Sequence, residues 1–235
     1  MKRAIPAEAR VRVGARDVKL IVKVNARARR IGLRIDDSLG RPVLVLPSRR
    51  SVAEGLRFAE SRAQWLQHSL SRLPPHVAFV DGARVPYLGL PHLVRHRPRA
   101  RAPVLRHDGE IKVAGQPQHL GRRLTEWFRA EAKRVIGARA RRMAERINKT
   151  VTRIAIRDGR TRWGSCSPNG SLSFSWRLML APPFVLDYVI AHEVAHLVEM
   201  NHGPRFWRLV ERLCPQQEAA QHWLREHGSG LHRYG

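Results

Sequence analysis

The stretch AHEVAHLVEMNHG, residues 191–203, places three histidines and two glutamates within eleven residues. His192 and His196 lie four apart, so on a helix they share one face. APP at 181–183 suits a helix start, since proline is at home in the first helical turn. Val185, Leu186, Val189, Ile190 and Leu197 make the predicted helix strongly apolar, and therefore buried. Two buried imidazoles beside a buried carboxylate need a partner that repays their desolvation.

A metal ion meets that need. Two histidines four apart on a helix can hold one tetrahedral zinc. The Glu193 side chain leaves the helix about 100° further round. From there its carboxylate can accept a proton from an activated water without itself being a ligand, the arrangement of H-E-x-x-H metallohydrolases. His202 follows His196 by six residues. Asn201 and Gly203 favour a turn, and Pro204 readily begins a new helix, so the chain can double back and deliver His202 as a third ligand. The expected site is one Zn2+ held by His192, His196 and His202, with Glu193 as catalytic acid and base. The third histidine has the offset of the HExxHxxGxxH pattern, but Glu199 stands where that pattern has glycine, so its turn chemistry is absent.

Immediately upstream, TRWGSC (161–166) and SLSFSW (171–176) flank SPNG. This predicts an antiparallel hairpin closed by a four-residue turn with an Asn-Gly signal. A strand beside the metal can align an extended substrate by backbone hydrogen bonds. Arg162 either grips an anionic group of the substrate or pairs with Asp187 or Asp158. Trp163 is core packing or a pocket wall, and Gly164 allows a bulge or a close backbone approach. Ser165 is a further candidate substrate contact on the same strand. Tyr188, one turn before His192, can stabilise an oxyanion or simply pack. Glu199 and Glu211 are candidates to orient an imidazole N–H. RFWRLVERL (205–213) reads as an amphipathic helix backing the site, with Phe206 and Trp207 as packing residues. Cys166 reads as a small buried residue.

Around this centre the chain organises in two parts: a β-rich N-terminal region with one helix, residues 1–116, and a catalytic domain, residues 117–235. VKLIVKV (18–24), IGLRID (31–36) and RPVLVLP (41–47) read as strands. Ser48 or Ser51 can cap a single helix over SVAEGLRFAESRAQWLQHSLSRL. Short strands follow around RVPYLGLPHLVRHR and EIKVAG, with a proline-punctuated turn or loop between them. A long helix runs from about Gln118 to Ile147 with Leu120, Leu124, Phe128, Ala132, Val135 and Ile136 as its apolar stripe, and TRIAIRD (152–158) is a further strand. The class is α+β, with the histidine helix on a small sheet.

Composition sets outer bounds. With 235 residues and 43% hydrophobic content the chain can bury a sizeable core. No apolar run reaches the ~20 residues of a membrane span, and the N-terminus lacks the apolar core of a leader, so the expected location is the cytoplasm. The two cysteines, Cys166 and Cys214, form neither a disulfide framework nor a CxxC pair. Lys+Arg of 44 against Asp+Glu of 19 gives a net charge of +25. That charge either serves an anionic partner, nucleotide or nucleic acid, or reflects arginine-rich codon usage. A P-loop and a Mg2+-type acidic cluster are absent, which counts against a dedicated nucleotide fold. A purely structural zinc would need a fourth protein ligand, which is not evident.

The segment 161–215 resembles the YgjP-like metallopeptidase family, in RWGSCS, WRL, DYVIAHEVAH and NHGPRFW; RRIGLRID, LVLPSRRSVAEG, QWLQHSL and YLGLPHLV extend the resemblance upstream. The resemblance implies a zincin-like metalloprotease domain, related to SprT-like and WLM proteases. It implies His192, His196 and His202 as zinc ligands, Glu193 as acid/base, and a peptide or unfolded protein as substrate. Two alternative activities come with it: a pyrophosphohydrolase acting on nucleoside triphosphates such as UTP, and a nucleic-acid-associated protease.

Overall fold

The computed structural model describes residues 8–14, 16–36, 40–48, 51–72, 75–159 and 161–235. Residues 1–7, part of the segment read for a leader, lie outside them. The chain forms two compact units, Met1–Pro75 and His76–Gly235. This moves the boundary from the expected 116/117 back to 75/76. The reason is packing: the strands between 84 and 113 bury their apolar side chains with the long helix, not with the N-terminal strands.

The first unit holds β1 (Glu8–Val13), β2 (Arg16–Val24), β3 (Gly32–Asp36) and β4 (Arg41–Leu46) in the order β1-β2-β4-β3. Alternation buries Val11, Val13, Leu20 and Val22 on one face, where they meet Leu44 and Leu46 of β4. The expected single helix is two, α1 (Val52–Ser61) and α2 (Ala63–Ser71), broken at Arg62. Ala59 and Leu66 are their buried contacts with the sheet. Gly55 of α1 lies so close to the Leu44 and Leu46 side chains that a Cβ would clash with them. Ser51 is the N-cap of α1, but its hydroxyl bonds Ser48 instead of a backbone amide.

The second unit begins with β5 (Arg84–Tyr87), β6 (Leu90–His96), β7 (Val104–His107) and β8 (Glu110–Val113), ordered β5-β6-β8-β7. Two-residue turns with positive φ at both positions, Leu88-Gly89 and Asp108-Gly109, close its hairpins. The Leu88 N–H donates to the Met179 carbonyl at 2.7 Å, and a Cβ on Gly89 would lie 3.0 Å from Pro182 Cα. That hairpin tip is therefore seated on the segment that launches the histidine helix.

The long helix, α3 (Leu120–Glu145), buries Leu120, Leu124, Phe128, Ala132, Ile136, Ala140 and Ala144, one residue in every four. Each step of four advances 400° around the axis, so the stripe slides about 40° per step. The helix accordingly changes partners along its length. Near its start Arg123 donates to Ala114 O and Phe128 stacks on Phe79; near its end Arg139 pairs with Asp187 and Arg146 donates to Leu213 O.

The third sheet holds β9 (Arg153–Arg157), β10 (Gly164–Cys166) and β11 (Ser171–Ser175) in the order β10-β11-β9. The expected hairpin is present, with Gly164 opposite Phe174 and Cys166 opposite Leu172, and Gly170 completes the turn at φ 76°. A buried 3-10 turn, Trp176–Leu180, leads into α4 (Pro183–Ala195), which is followed by α5 (Pro204–Leu213) and α6 (Gln217–Leu231). The unit closes on itself: Val77 N–H donates to Arg233 O, and Gly235 N–H donates to Val77 O. No helix among the described residues is long and apolar enough to cross a membrane.

Candidate metal centre

α4 is apolar on nearly every side, with Val185, Leu186, Ile190, Ala191, Val194 and Ala195 fully buried. Such a helix fixes its polar residues rigidly. His192 lies in its last turn and His196 caps its C-terminus. The chain reverses through Asn201 and Gly203, and α5 starts at Pro204, which carries His202 back toward α4. One ring nitrogen from each of the three histidines then falls within 4.8 Å of the others. His192 Nε2 and His202 Nε2 face each other at 3.1 Å. Ligands at ~2.0–2.1 Å in tetrahedral array stand about 3.3 Å apart, so this spacing suits one shared cation.

Phe206 is the floor of the cluster. It is fully buried, and its ring centroid lies 4.9, 4.6 and 4.7 Å from those of His192, His196 and His202. Trp207 stands 5.9 Å from both His192 and His202. These apolar neighbours help desolvate the His192 and His196 imidazoles. Burial, reinforced by the other two histidines, lowers the His192 pKa to about 4. Burial lowers His196 as well, despite its bond to Glu199. Neutral imidazoles are the ligand form of histidine.

The His196 ring is oriented by a hydrogen bond from Nδ1 to the Glu199 carbonyl oxygen, 3.0 Å long. Glu199 therefore occupies the expected orienting position through its backbone and not its carboxylate. The bond fixes the tautomer and leaves Nε2 for the cluster. Glu211 is exposed and makes no hydrogen bond to these rings among the described residues. His192 Nδ1 is buried with no hydrogen-bond partner among them.

Glu193 is 6% exposed. Burial pushes its carboxyl up to about 7, with the Arg162 charge pulling the other way. Strand β10 runs against it: a Cβ on Gly164 would meet Glu193 Cγ at 2.5 Å and Oε1 at 2.6 Å. Close backbone approach, one of the two sequence readings for Gly164, is what the structure displays. Among the described residues β10 is an edge strand, bonded to β11 on one side and to no strand on the other.

Arg162 is exposed. Both acids considered for it are engaged elsewhere, Asp158 with Arg177 and Asp187 with Arg139, each at 2.7 Å. Trp163, Gly164 and Tyr188 line a cavity of about 200 Å³ together with His192 and Glu193; Ser165 is not part of that lining. Tyr188 is buried, and burial pushes its phenol pKa up. Val189, read from the sequence only as a buried residue of the histidine helix, and Leu224, which had no place in that reading, complete the cavity. Leu224 sits on α6 in the spacing Ala220, Leu224, Gly228, Leu231, which marks an inward face without saying what it faces.

A sequence model of the YgjP-like metallopeptidase domain matches residues 29–227. The chain belongs to the YgjP-like family. The match runs through both compact units and contains the three histidines, Glu193 and β10. No curated protein and no solved structure matches the chain. Membership makes this a metallopeptidase-type domain, and the α+β fold agrees with it. In this YgjP-like chain the clustered histidines are a donor set suited to a metal ion.

Proposed function

We propose that the protein is a zinc peptidase, with His192, His196 and His202 as the metal ligands and Glu193 as the acid and base. One observation carries the reading: the buried Glu193 carboxyl shares a cavity with His192 of the three-histidine cluster and lies against strand β10 at Gly164. Three imidazoles suit zinc and leave a coordination position for chemistry. A bound zinc would supply Lewis acidity toward a carbonyl and toward water. Glu193 takes the proton of the attacking water and returns it to the leaving amine. Gly164 holds the carboxylate in place by excluding any side chain from the space it fills. The free edge of β10 pairs with an extended peptide through backbone hydrogen bonds. Arg162, at the approach to β10, receives an anionic group of the substrate.

The test is metal analysis of the purified protein, followed by turnover on a mixed panel of peptides and nucleoside triphosphates with and without chelator. One equivalent of zinc and chelator-sensitive peptide cleavage are expected. Glu193→Gln should keep the zinc and lose turnover. Full activity in that variant would sink the role of Glu193, and turnover confined to nucleoside triphosphates would overturn the peptidase reading.

A further inference from the structure

The cavity beside Glu193 is walled by α6, an element outside the histidine motif. Leu224 of α6 forms part of the lining, opposite the Val189 and Tyr188 contribution of α4. Trp163, the other large wall, also takes its position from α6. Its ring stacks on His232 at 4.8 Å between centroids and 22° between planes. Gly228 lets it lie on the helix surface: a Cβ there would already stand 3.4 Å from Trp163 Cζ2. α6 is itself pinned, because Arg177 donates to Leu231 O and Tyr234 O, and the chain beyond it is bonded to Val77.

The cavity measures about 200 Å³. At ~30 Å³ per water this is room for roughly six waters, the scale of one aliphatic side chain and not of a drug-sized ligand. Its apolar walls are the Trp163 indole, Val189 and Leu224, with Tyr188, His192 and Glu193 completing the lining. Among the described residues no lysine or arginine lines it, and the Glu193 carboxyl is part of the lining. An acidic side chain would enter unpaired and repelled.

We infer that this cavity holds the substrate side chain next to the scissile bond, and that α6 sets its size, through Leu224 and through the clamp on Trp163, to select a residue such as leucine or methionine. The inference rests on the peptidase reading for its substrate, but the cavity can be probed without turnover.

The experiment uses the full-length, zinc-loaded protein in two arms. In the first, a peptide library randomised around one scissile bond gives kcat/KM for each residue. Leucine and methionine should exceed aspartate by about tenfold or more at one position adjoining the bond. Leu224→Ala should shift that position toward phenylalanine, and Leu224→Phe toward alanine, each by about tenfold in the ratio of kcat/KM values. In the second arm, methyl NMR of Leu224 follows titration with N-acetyl-leucinamide and N-acetyl-aspartamide. A saturable shift with the first and none with the second is expected, whether or not any peptide is cut. Cleavage whose preferences ignore both Leu224 variants would overturn the inference, as would a Leu224 signal that neither amide moves. Saturable leucinamide binding without any peptide cleavage would leave the pocket standing and remove the peptidase reading instead.

Discussion

At Gly164 the absence of a side chain is a condition for the placement of the Glu193 carboxyl. Its missing Cβ is the space the Glu193 carboxylate occupies. Gly164→Ala should therefore displace Glu193 by a fraction of an ångström or more. A misplacement on that scale is expected to lower kcat on the order of 100-fold with the zinc content unchanged, read by steady-state kinetics beside metal analysis. Glu199 gives the opposite expectation. Its carbonyl, not its carboxylate, holds His196, and every residue has a carbonyl. Glu199→Ala should thus change zinc affinity by less than the roughly tenfold that marks the loss of an orienting partner, measured by competition with a chromogenic chelator. Spacing in the sequence made the three histidines and Glu193 legible, because helix geometry turns an interval of four into one face. The same reading could not distinguish a side-chain from a backbone acceptor at Glu199. Nor could it place Phe206 under the three rings, since its helical spacing marks an inward face but not the partner.

Among the elements, the short turn from Trp176 to Leu180 joins α6 to the rest of the second unit through Arg177. That guanidinium is 13% exposed and binds Asp158 together with the Leu231 and Tyr234 carbonyls. Burial alone would raise the Asp158 pKa, but the hydrogen bonds and charge of Arg177 outweigh it and hold the carboxyl below its usual range. The sign follows from that direction. An acid with a lowered folded-state pKa stabilises fully above its unfolded value of ~3.9 and loses that contribution as pH falls through the folded value. Thermal melts below about pH 4 should therefore show a steeper fall for the wild type than for Asp158→Asn. Arg177→Ala should cost about 2 kcal/mol at neutral pH, as removal of hydrogen bonds from a charged group does. Element type was widely readable here. Alternating and apolar runs identified β2, β3, β4, β9 and β11, and the prolines marked the starts of α4 and α5. Strand β7 was hidden because its flanking arginines and prolines have the composition of a loop. The break between α1 and α2 was hidden because Arg62 is an ordinary helix residue.

For the molecule as a whole, two separate cores predict two cooperative units. The three histidines belong to the second, His76–Gly235. A ligand that binds only the folded state stabilises by about 4 kcal/mol when present at 1,000 times its dissociation constant. Chelation should accordingly lower the melting temperature of the second unit and leave the first unit's transition in place, resolved by differential scanning calorimetry. A single transition that moves as a whole would show the two units to be energetically coupled. The sequence placed the boundary some forty residues too late, at 116/117, because β5 to β8 resemble the N-terminal strands in composition. What assigns them to the second unit is the core they share with α3, α4 and the turn before it, which joins residues remote in sequence.

The four-residue rhythm of α3 makes that helix behave like a camshaft. Its N-terminal half meets Phe79 and Tyr87 while its C-terminal half aligns Arg139 with Asp187, one turn ahead of His192. Adding or deleting a single residue in the exposed stretch Lys133–Arg134 would turn one half against the other by about 100°. The two lobes could then no longer be in register at once. A length change of the kind that surface loops absorb freely is, in this solvent-facing stretch, felt at the histidines.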